Sequence, residues 1–148
     1  MYKRILVPLD RSPDQSGALE QAKGLALAFQ AELRLISVEA PVSPTGHDWE
    51  LSQGDYLEKK RLELAEYLES QAQILRAAGC QVTTAVLPLG NPVSRVSEEA
   101  AAFHPDLIIM HSHGRMGLTR LLMGSDAEEI SRHSPTPVLL VHRLSTSD

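Results

Sequence analysis

Short apolar runs recur along this chain and alternate with longer amphipathic segments. Such runs are typical of strands that are buried on both faces of a parallel sheet. They begin near residues 4, 32, 80, 105 and 136. The pattern therefore predicts five strands, in the segments RILVPL, ELRLISVEA, CQVTTAVLP, PDLIIMHS and TPVLLVHR.

The segment after the first run has the spacing of an amphipathic helix, with its apolar residues three or four positions apart. Ser12 can cap this helix, Pro13 suits its first position, and Gln15 completes a capping-box pattern. The pattern predicts a helix whose buried face carries Ala18, Leu19, Ala22, Leu25, Ala26 and Phe29.

Three more helices are predicted further along the chain. A long one covers residues 55–79 and ends at Gly79, and a third opens with Asn91 as its cap and Pro92 in its first turn. A fourth is expected to start near Ser125. Residues 40–54 contain two prolines and two glycines and predict a long loop, which we expect Trp49 to anchor.

Strands that alternate with helices predict an α/β fold in one domain, residues 1–148. Right-handed crossovers between successive strands then give a mainly parallel sheet with helices packed over it. A chain of this length buries about two-thirds of its unfolded surface, so one stable core is feasible.

Charge and composition exclude several classes of function. The net charge of −5 gives no general attraction to nucleic acid or to an anionic membrane, so neither is expected as a partner. The only cysteine, Cys80, cannot form an intrachain disulfide, and no apolar run has the length of a membrane span. We therefore expect a cytoplasmic protein.

The topology also predicts where a ligand binds. Ligands of open α/β sheets lie at the carboxyl ends of the strands, beside the point where the strand order reverses. Asp10 follows the first strand, and His111 ends the fourth and leads into residues 112–126. If these two strands are neighbours, Asp10 and residues 111–126 share one crevice.

The connection after the fourth strand has two interpretations. Gly114, Gly117, Gly124 and Ser125 could bring backbone N–H groups close to a phosphate, and Arg115 could neutralise it. Neither a Walker A motif nor a dinucleotide-binding glycine pattern is present, however. The glycines could equally serve only the backbone of a strand-to-helix connection.

Ser125 and the loop histidines also have purely structural interpretations. Ser125 and Glu128 form a capping-box pattern, so the serine could simply cap the fourth helix. Asp126 would then lie in the first turn, where the helix dipole favours a carboxylate. His111 and His113 have no cysteine or carboxylate partner at ligand spacing, so no metal site is expected.

Two long segments resemble the universal stress protein family. ILVPLDRSPDQSGALEQA is similar to the opening strand and helix of that family, and HSHGRMGLTRLLMGSDAEEISRHSPTPVLLV to its closing half. The family's ATP-binding pattern is G-x2-G-x9-G-[ST], and Gly114, Gly124 and Ser125 match its second part. Two positions depart from the family: His111 replaces the first glycine, and Asp126 stands where an apolar residue is common.

The resemblance implies an open, doubly wound, five-stranded parallel sheet of order 3-2-1-4-5 with helices on both faces. It also implies a homodimer joined through the last strand, residues 137–142. The nucleotide-binding site of the family aligns here with Pro8, Leu9, Asp10 and Val38 for adenine and ribose, and with a phosphate loop that runs from Met110 and His111 through Gly114 and Arg115 to Gly124, Ser125 and Asp126.

Three functions remain open at this point. The leading hypothesis is a stress-response regulatory module that binds ATP, or alternatively ADP or AMP, either with or without Mg²⁺. The second is a nucleotide-independent dimeric adaptor of the same fold, because His111 could fill ligand space and Asp126 would repel a triphosphate. The third is slow ATP hydrolysis or self-phosphorylation at Ser125, for which no positioned general base is evident.

Overall fold

The structure is a computed structural model that describes residues 1–11, 15–40, 44–112 and 120–142, with only the backbone of residues 120–125. The five strands are β1 (Arg4–Pro8), β2 (Glu32–Val38), β3 (Gln81–Leu87), β4 (Leu107–His111) and β5 (Val138–Val141). The four α-helices are α1 (Ser16–Phe29), α2 (Gln53–Ala77), α3 (Pro92–Phe103) and α4 (Arg120–His133).

The strands form one parallel sheet in the order β3-β2-β1-β4-β5, which confirms the predicted topology. β1 is the central strand, because it pairs with β2 from Arg4↔Glu32 to Pro8↔Ile36 and with β4 at Ile5↔Leu107 and Leu6↔Ile108. β1 and β4 are therefore neighbours, as the predicted crevice requires.

Helices cover both faces of the sheet. Side chains alternate along β1, so Ile5 and Val7 pack towards α1 and α2, whereas Leu6 packs towards α3 and α4. Ile5, Leu6 and Val7 are fully buried. Burial on both faces explains why the strands appear in the sequence as continuous apolar runs.

The loop between β2 and α2 is anchored by Asp48, not by Trp49. Trp49 is 72% exposed, so the prediction that it anchors the loop is wrong. Asp48 lies in a short 3-10 helix (Gly46–Glu50), is buried, and pairs with Lys59 and Lys60 of α2. The Lys59 ammonium and the Thr45 N–H hold the pKa of Asp48 below its usual value.

Of two helix starts that the sequence predicts in detail, one is confirmed and the other is wrong. Asn91 caps α3 as predicted, because its side chain accepts a hydrogen bond of 3.2 Å from the Ser94 N–H. The predicted capping box of α1 is wrong for Gln15: α1 begins at Ser16, and the Gln15 side chain donates to Asp10 instead. Ser12 and Pro13 lie outside the described residues.

The fourth helix begins earlier than predicted. α4 starts at Arg120, so Ser125 lies inside the helix and does not cap it. Asp126 consequently falls in the second turn rather than in the first, away from the positive end of the dipole. The strong helix formers between Arg120 and Met123 explain the extension, because they outweigh the cost of Gly124 in the interior.

Within the residues that the structure describes, no helix is both long enough and apolar enough to span a membrane.

Two glycines of α1 differ in the space around them. A Cβ on Gly24 would meet nothing within 4 Å, whereas one on Gly17 would lie 3.2 Å from Cγ1 of Val141. We expect Gly24→Ala to raise the free energy of unfolding by about 0.5–1 kcal/mol through its helix propensity. Gly17→Ala should gain clearly less, because its new methyl group crowds β5. Urea denaturation of both variants measures the difference, and equal gains would contradict the close approach.

Candidate functional site

A cavity of about 200 Å³ lies where the carboxyl ends of β1, β2 and β4 meet the starts of α1 and α3 and the second turn of α4. Asp10 and His111 both line it, so the two strand ends share one crevice as predicted. Its walls are mainly apolar. The apolar lining residues are Pro8, Leu9, Ile36, Val38, Ala40, Pro92, Val96, Met110, Ala127 and Ile130.

Backbone hydrogen bonds extend the sheet ladder to the rim of this cavity. The Leu9 N–H donates to the Ile36 carbonyl at 2.8 Å, and the Glu39 N–H donates to the Leu87 carbonyl at 3.0 Å. On the other side, the Ser112 N–H donates to the Val141 carbonyl at 3.0 Å. Asp10 and His111 are each next in the chain to a residue fixed in this way, so their backbone positions are set by the sheet.

Asp10 is held in the cavity by Gln15. The Gln15 Nε2 donates a hydrogen bond of 2.8 Å to Oδ1 of Asp10. Gln15 is only 4% exposed, and its buried Oε1 has no hydrogen-bond partner among the residues that the structure describes. A buried acceptor without a donor is costly, so this oxygen is a candidate contact for a ligand N–H or O–H.

The turn after Asp10 is conformationally unusual. Arg11 has a φ of 68°, in the left-handed region that residues with a Cβ seldom adopt. Its guanidinium lies 5.8 Å from the centre of the Tyr67 ring of α2. Burial first, and then the Asp10 carboxylate, raise the pKa of Tyr67. Gln30 and His104 adopt the same conformation as helix C-caps, whereas Arg11 adopts it directly beside the cavity, and strained backbone often accompanies functional sites.

His111 directs its imidazole towards α1. The side chain is 8% exposed, and its Nε2 lies 3.9 Å from the place where a Cβ on Gly17 would sit. The alternation along β4 explains the direction, since Ile109 belongs to the same core as α1 whereas Met110 packs with α3 and α4. His111 therefore lines the cavity from the α1 side and Met110 from the opposite face.

Asp126 brings a carboxylate to the α4 side of the cavity. Ala127 and Ile130 of the same helix are buried beside it and also line the cavity. Burial first, and then the negative charge of Glu129, raise the pKa of Asp126. The ionised form of this side chain is therefore disfavoured relative to an exposed aspartate.

The charge of the described lining is one-sided. Asp10, Glu39 and Asp126 contribute carboxylates, whereas the described lining residues include neither lysine nor arginine. Glu39 is partly compensated, because it lies 4.0 Å from Arg61 and accepts a hydrogen bond of 3.3 Å from the Leu89 N–H. The described polar part of the cavity thus presents mainly acceptors to a ligand.

The structure brings together seven of the residues that the sequence singled out: Pro8, Leu9, Asp10, Val38, Met110, His111 and Asp126 all line the cavity. Gly114, Arg115 and His113 lie outside the described residues. Gly124 and Ser125 lie within α4, beyond the first four residues whose N–H groups lack a helical partner. Their assignment to a phosphate site remains a prediction.

Sequence reasoning missed Gln15 and Glu39 as lining residues. Gln15 follows Asp10 by five positions, and the helix-start signal around it suggested a capping role instead. Glu39 is the first residue after β2, and Asp10 is the second residue after β1. The rule that ligands bind at the carboxyl ends of the strands, which predicted Asp10, could therefore also have predicted Glu39. Gly90 lines the same cavity without a sequence signal.

Comparison with known proteins identifies the family. The universal stress protein family profile matches residues 1–142. The universal stress protein MJ0531 of Methanocaldococcus jannaschii is 32% identical over an alignment 148 residues long. The alignment covers 97% of this chain and 84% of that protein. The chain therefore belongs to the universal stress protein family.

Solved structures share the fold. The protein MJ0577 superposes with a TM-score of 0.74 at 28% identity, covering 97% of both chains. A universal stress protein in complex with cAMP gives a TM-score of 0.72 at 24% identity, covering 96% of this chain and 98% of that one. The Archaeoglobus fulgidus protein in complex with dAMP gives 0.65 at 19% identity, covering 95% and 98%.

The raised pKa of Asp126 predicts a pH-dependent effect on stability. A carboxyl group whose folded pKa is raised stabilises the protein below its unfolded value of 3.8, and this stabilisation is lost as the pH rises through the folded pKa. We expect Asp126→Asn to have a higher free energy of unfolding than the natural chain at pH 7 in denaturant titrations. The gain should be less than about 1 kcal/mol, because the group is only half-buried. The difference should shrink towards pH 3.5. A variant less stable at pH 7 would contradict the burial penalty.

Proposed function

We propose that this cavity binds an adenine nucleotide, ATP, ADP or AMP, and that the chain acts as a stress-response regulatory module. The observation that carries the proposal is the Asp10 carboxylate, held by Gln15 at the carboxyl ends of adjacent parallel strands. Open α/β sheets bind their ligands at this place. The apolar walls around it suit a flat aromatic base.

The lining residues suggest an orientation for the ligand. The base packs against Val38 and Ile36, whose aliphatic side chains lie at the end of β2. The ribose hydroxyls donate to Asp10, because a carboxylate accepts two such hydrogen bonds. The phosphate end then points towards α4 and the connection that contains Gly114 and Arg115, where Mg²⁺ can accompany it.

Relatives support an adenine ligand. Two neighbours of the same fold were solved with adenine nucleotides, one with cAMP and one with dAMP. At sequence identities of 24% and 19%, these two structures support the shared fold. The argument for a ligand therefore depends on Asp10 and Gln15 of this chain. We further propose that any ATP hydrolysis or self-phosphorylation at Ser125 is slow.

A second candidate function is a nucleotide-independent dimeric adaptor. His111 occupies the α1 side of the cavity and Asp126 adds negative charge to the α4 side, which favours this alternative. In either case we propose a homodimer through residues 137–142. β5 is the last strand in the sheet order and is half-buried, and no further described strand pairs with its outer edge, which supports pairing with a second copy.

Replacement of Asp10 tests nucleotide binding. Asp10→Asn keeps an oxygen for Gln15 but removes the charge that accepts the ribose hydroxyls. Calorimetric titration with AMP and with Mg-ATP should show binding about 10–100-fold weaker, the range for loss of a charged hydrogen bond. Glu20→Gln removes an exposed carboxylate of α1 and should leave the affinity unchanged. Equal affinities of both variants and the natural chain would disprove the role of Asp10.

A gain-of-function pair separates the two candidates. If the chain is an adaptor, the natural protein binds no adenine nucleotide at millimolar concentration, whereas His111→Gly combined with Asp126→Val creates binding. If it is a nucleotide-binding module, small-molecule mass spectrometry of the freshly purified protein, or titration, detects an adenine nucleotide on the unaltered chain.

A further inference from the structure

We propose that a second cavity, next to the candidate nucleotide site, binds a small organic anion with an apolar body. This α2 cavity has a volume of about 170 Å³ and is lined by one face of α2, by residues 38–40 after β2, and by Arg11 and Leu89. Residues 38–40 also line the first cavity, so the two cavities are neighbours. The proposal goes beyond the proposed function, because it needs no nucleotide in the first cavity.

One face of α2 brings charged and apolar side chains to the same wall. The lining residues follow one another at intervals of about one helical turn: Tyr56 and Leu57, then Lys60 and Arg61, then Leu64. The basic pair thus lies in the turn between two apolar turns. An ammonium and a guanidinium reach the same cavity as the hydrophobic side chains, which is the arrangement that binds an amphiphilic anion.

The apolar part of the lining includes large side chains that remain in contact with water. Leu57 of α2 is 52% exposed, and Leu89, from the segment after β3, is 48% exposed. Tyr56 is buried beside them. A ligand with an apolar body removes this hydrophobic surface from water, which favours its binding.

Lys60 supplies positive charge that is only loosely engaged by its neighbours. Its Nζ lies 3.4 Å from Glu63 and 3.8 Å from Asp48, longer than the roughly 2.7–2.9 Å of a good charged hydrogen bond. Asp48 has a closer partner in Lys59. Lys60 can therefore turn towards a ligand anion while Asp48 keeps its main ion pair.

Arg61 and Arg11 bring guanidinium groups to the same cavity. The Arg61 Nε lies 4.0 Å from Glu39, and more than half of the Arg61 side chain is exposed. Ion pairs that are long and exposed contribute little free energy, so a ligand carboxylate competes successfully with Glu39. Arg11 follows Asp10 in the chain, so neighbouring residues line the two cavities with opposite charges.

The size of the α2 cavity restricts the ligand. Sites for drug-sized molecules are larger, at roughly 300–1,000 Å³. A carboxylate with a short aliphatic tail combines one negative charge with an apolar body of suitable size. We therefore expect a small monocarboxylate, and hexanoate serves as the probe.

A comparison of three small molecules tests the proposal. We would titrate the ¹⁵N-labelled full chain, without nucleotide and at constant ionic strength, and follow its amide chemical shifts. Hexanoate should give saturable shifts in residues 56–64 at millimolar concentration. Hexanamide has the same tail without the charge, and acetate has the charge without the tail. Each should bind about fivefold more weakly than hexanoate.

Variants assign the binding to named side chains. Lys60→Gln and Arg61→Gln should each weaken hexanoate about threefold and leave hexanamide unchanged. Lys23→Gln is the matched control, because Lys23 of α1 also pairs with a glutamate three residues away, and it should leave hexanoate unchanged. Leu57→Ser should weaken both hexanoate and hexanamide. Thermal unfolding of each variant confirms that the fold is intact.

Several outcomes would overturn the proposal. They are the absence of saturable shifts in residues 56–64, equal binding of hexanoate and hexanamide, and equal effects of Lys60→Gln and Lys23→Gln. Shifts confined to residues that line only the first cavity, such as Met110 and Ala127, place the anion there and also overturn it. These results leave the adenine site untouched, because Asp10→Asn tests that site separately.

Discussion

The position of β1 between β2 and β4 is the constraint on which the candidate site depends. Both neighbours pair with β1 in parallel, so all three strands end at the same edge of the sheet. The buried side chains of β1 fix its register, because a shift by one residue would exchange the two faces. Asp10 follows β1 by two residues and is therefore held at that edge, where it lines the mainly apolar cavity.

Family membership and the chemistry of the cavity carry different information. Membership of the family is consistent with the fold and its sheet order, which solved relatives share. The polar lining depends on individual side chains: Gln15 donates to Asp10, His111 lies on the α1 side, and Asp126 adds a carboxylate on the α4 side. The same fold can therefore hold ligands of different charge, because the fold fixes where a ligand lies while a few side chains fix what it is.

The sequence predicted the parts of the fold that depend on local or repeating signals. The strands were recognisable because burial on both faces leaves uninterrupted apolar runs, and α3 because Asn91 and Pro92 act within one turn. The start of α4 was misplaced, since the Gly-Ser pair looked like a boundary while the residues before it favour helix. The contact between Gln15 and Asp10 was missed because Gln15 also fits a helix-start pattern, and only the three-dimensional positions of the two side chains show that Gln15 donates to Asp10 instead.

The narrow gap at Gly17 joins two regions that the sheet order would otherwise keep apart. Val141 of the outermost strand and His111 at the ligand cavity both lie against the same glycine in the first turn of α1. A methyl group at this position would crowd Val141 and come into van der Waals contact with His111, so close packing of α1 here favours a residue without a side chain. The edge strand of the sheet and the wall of the central cavity thus share one packing partner, a position that has only a hydrogen atom for a side chain.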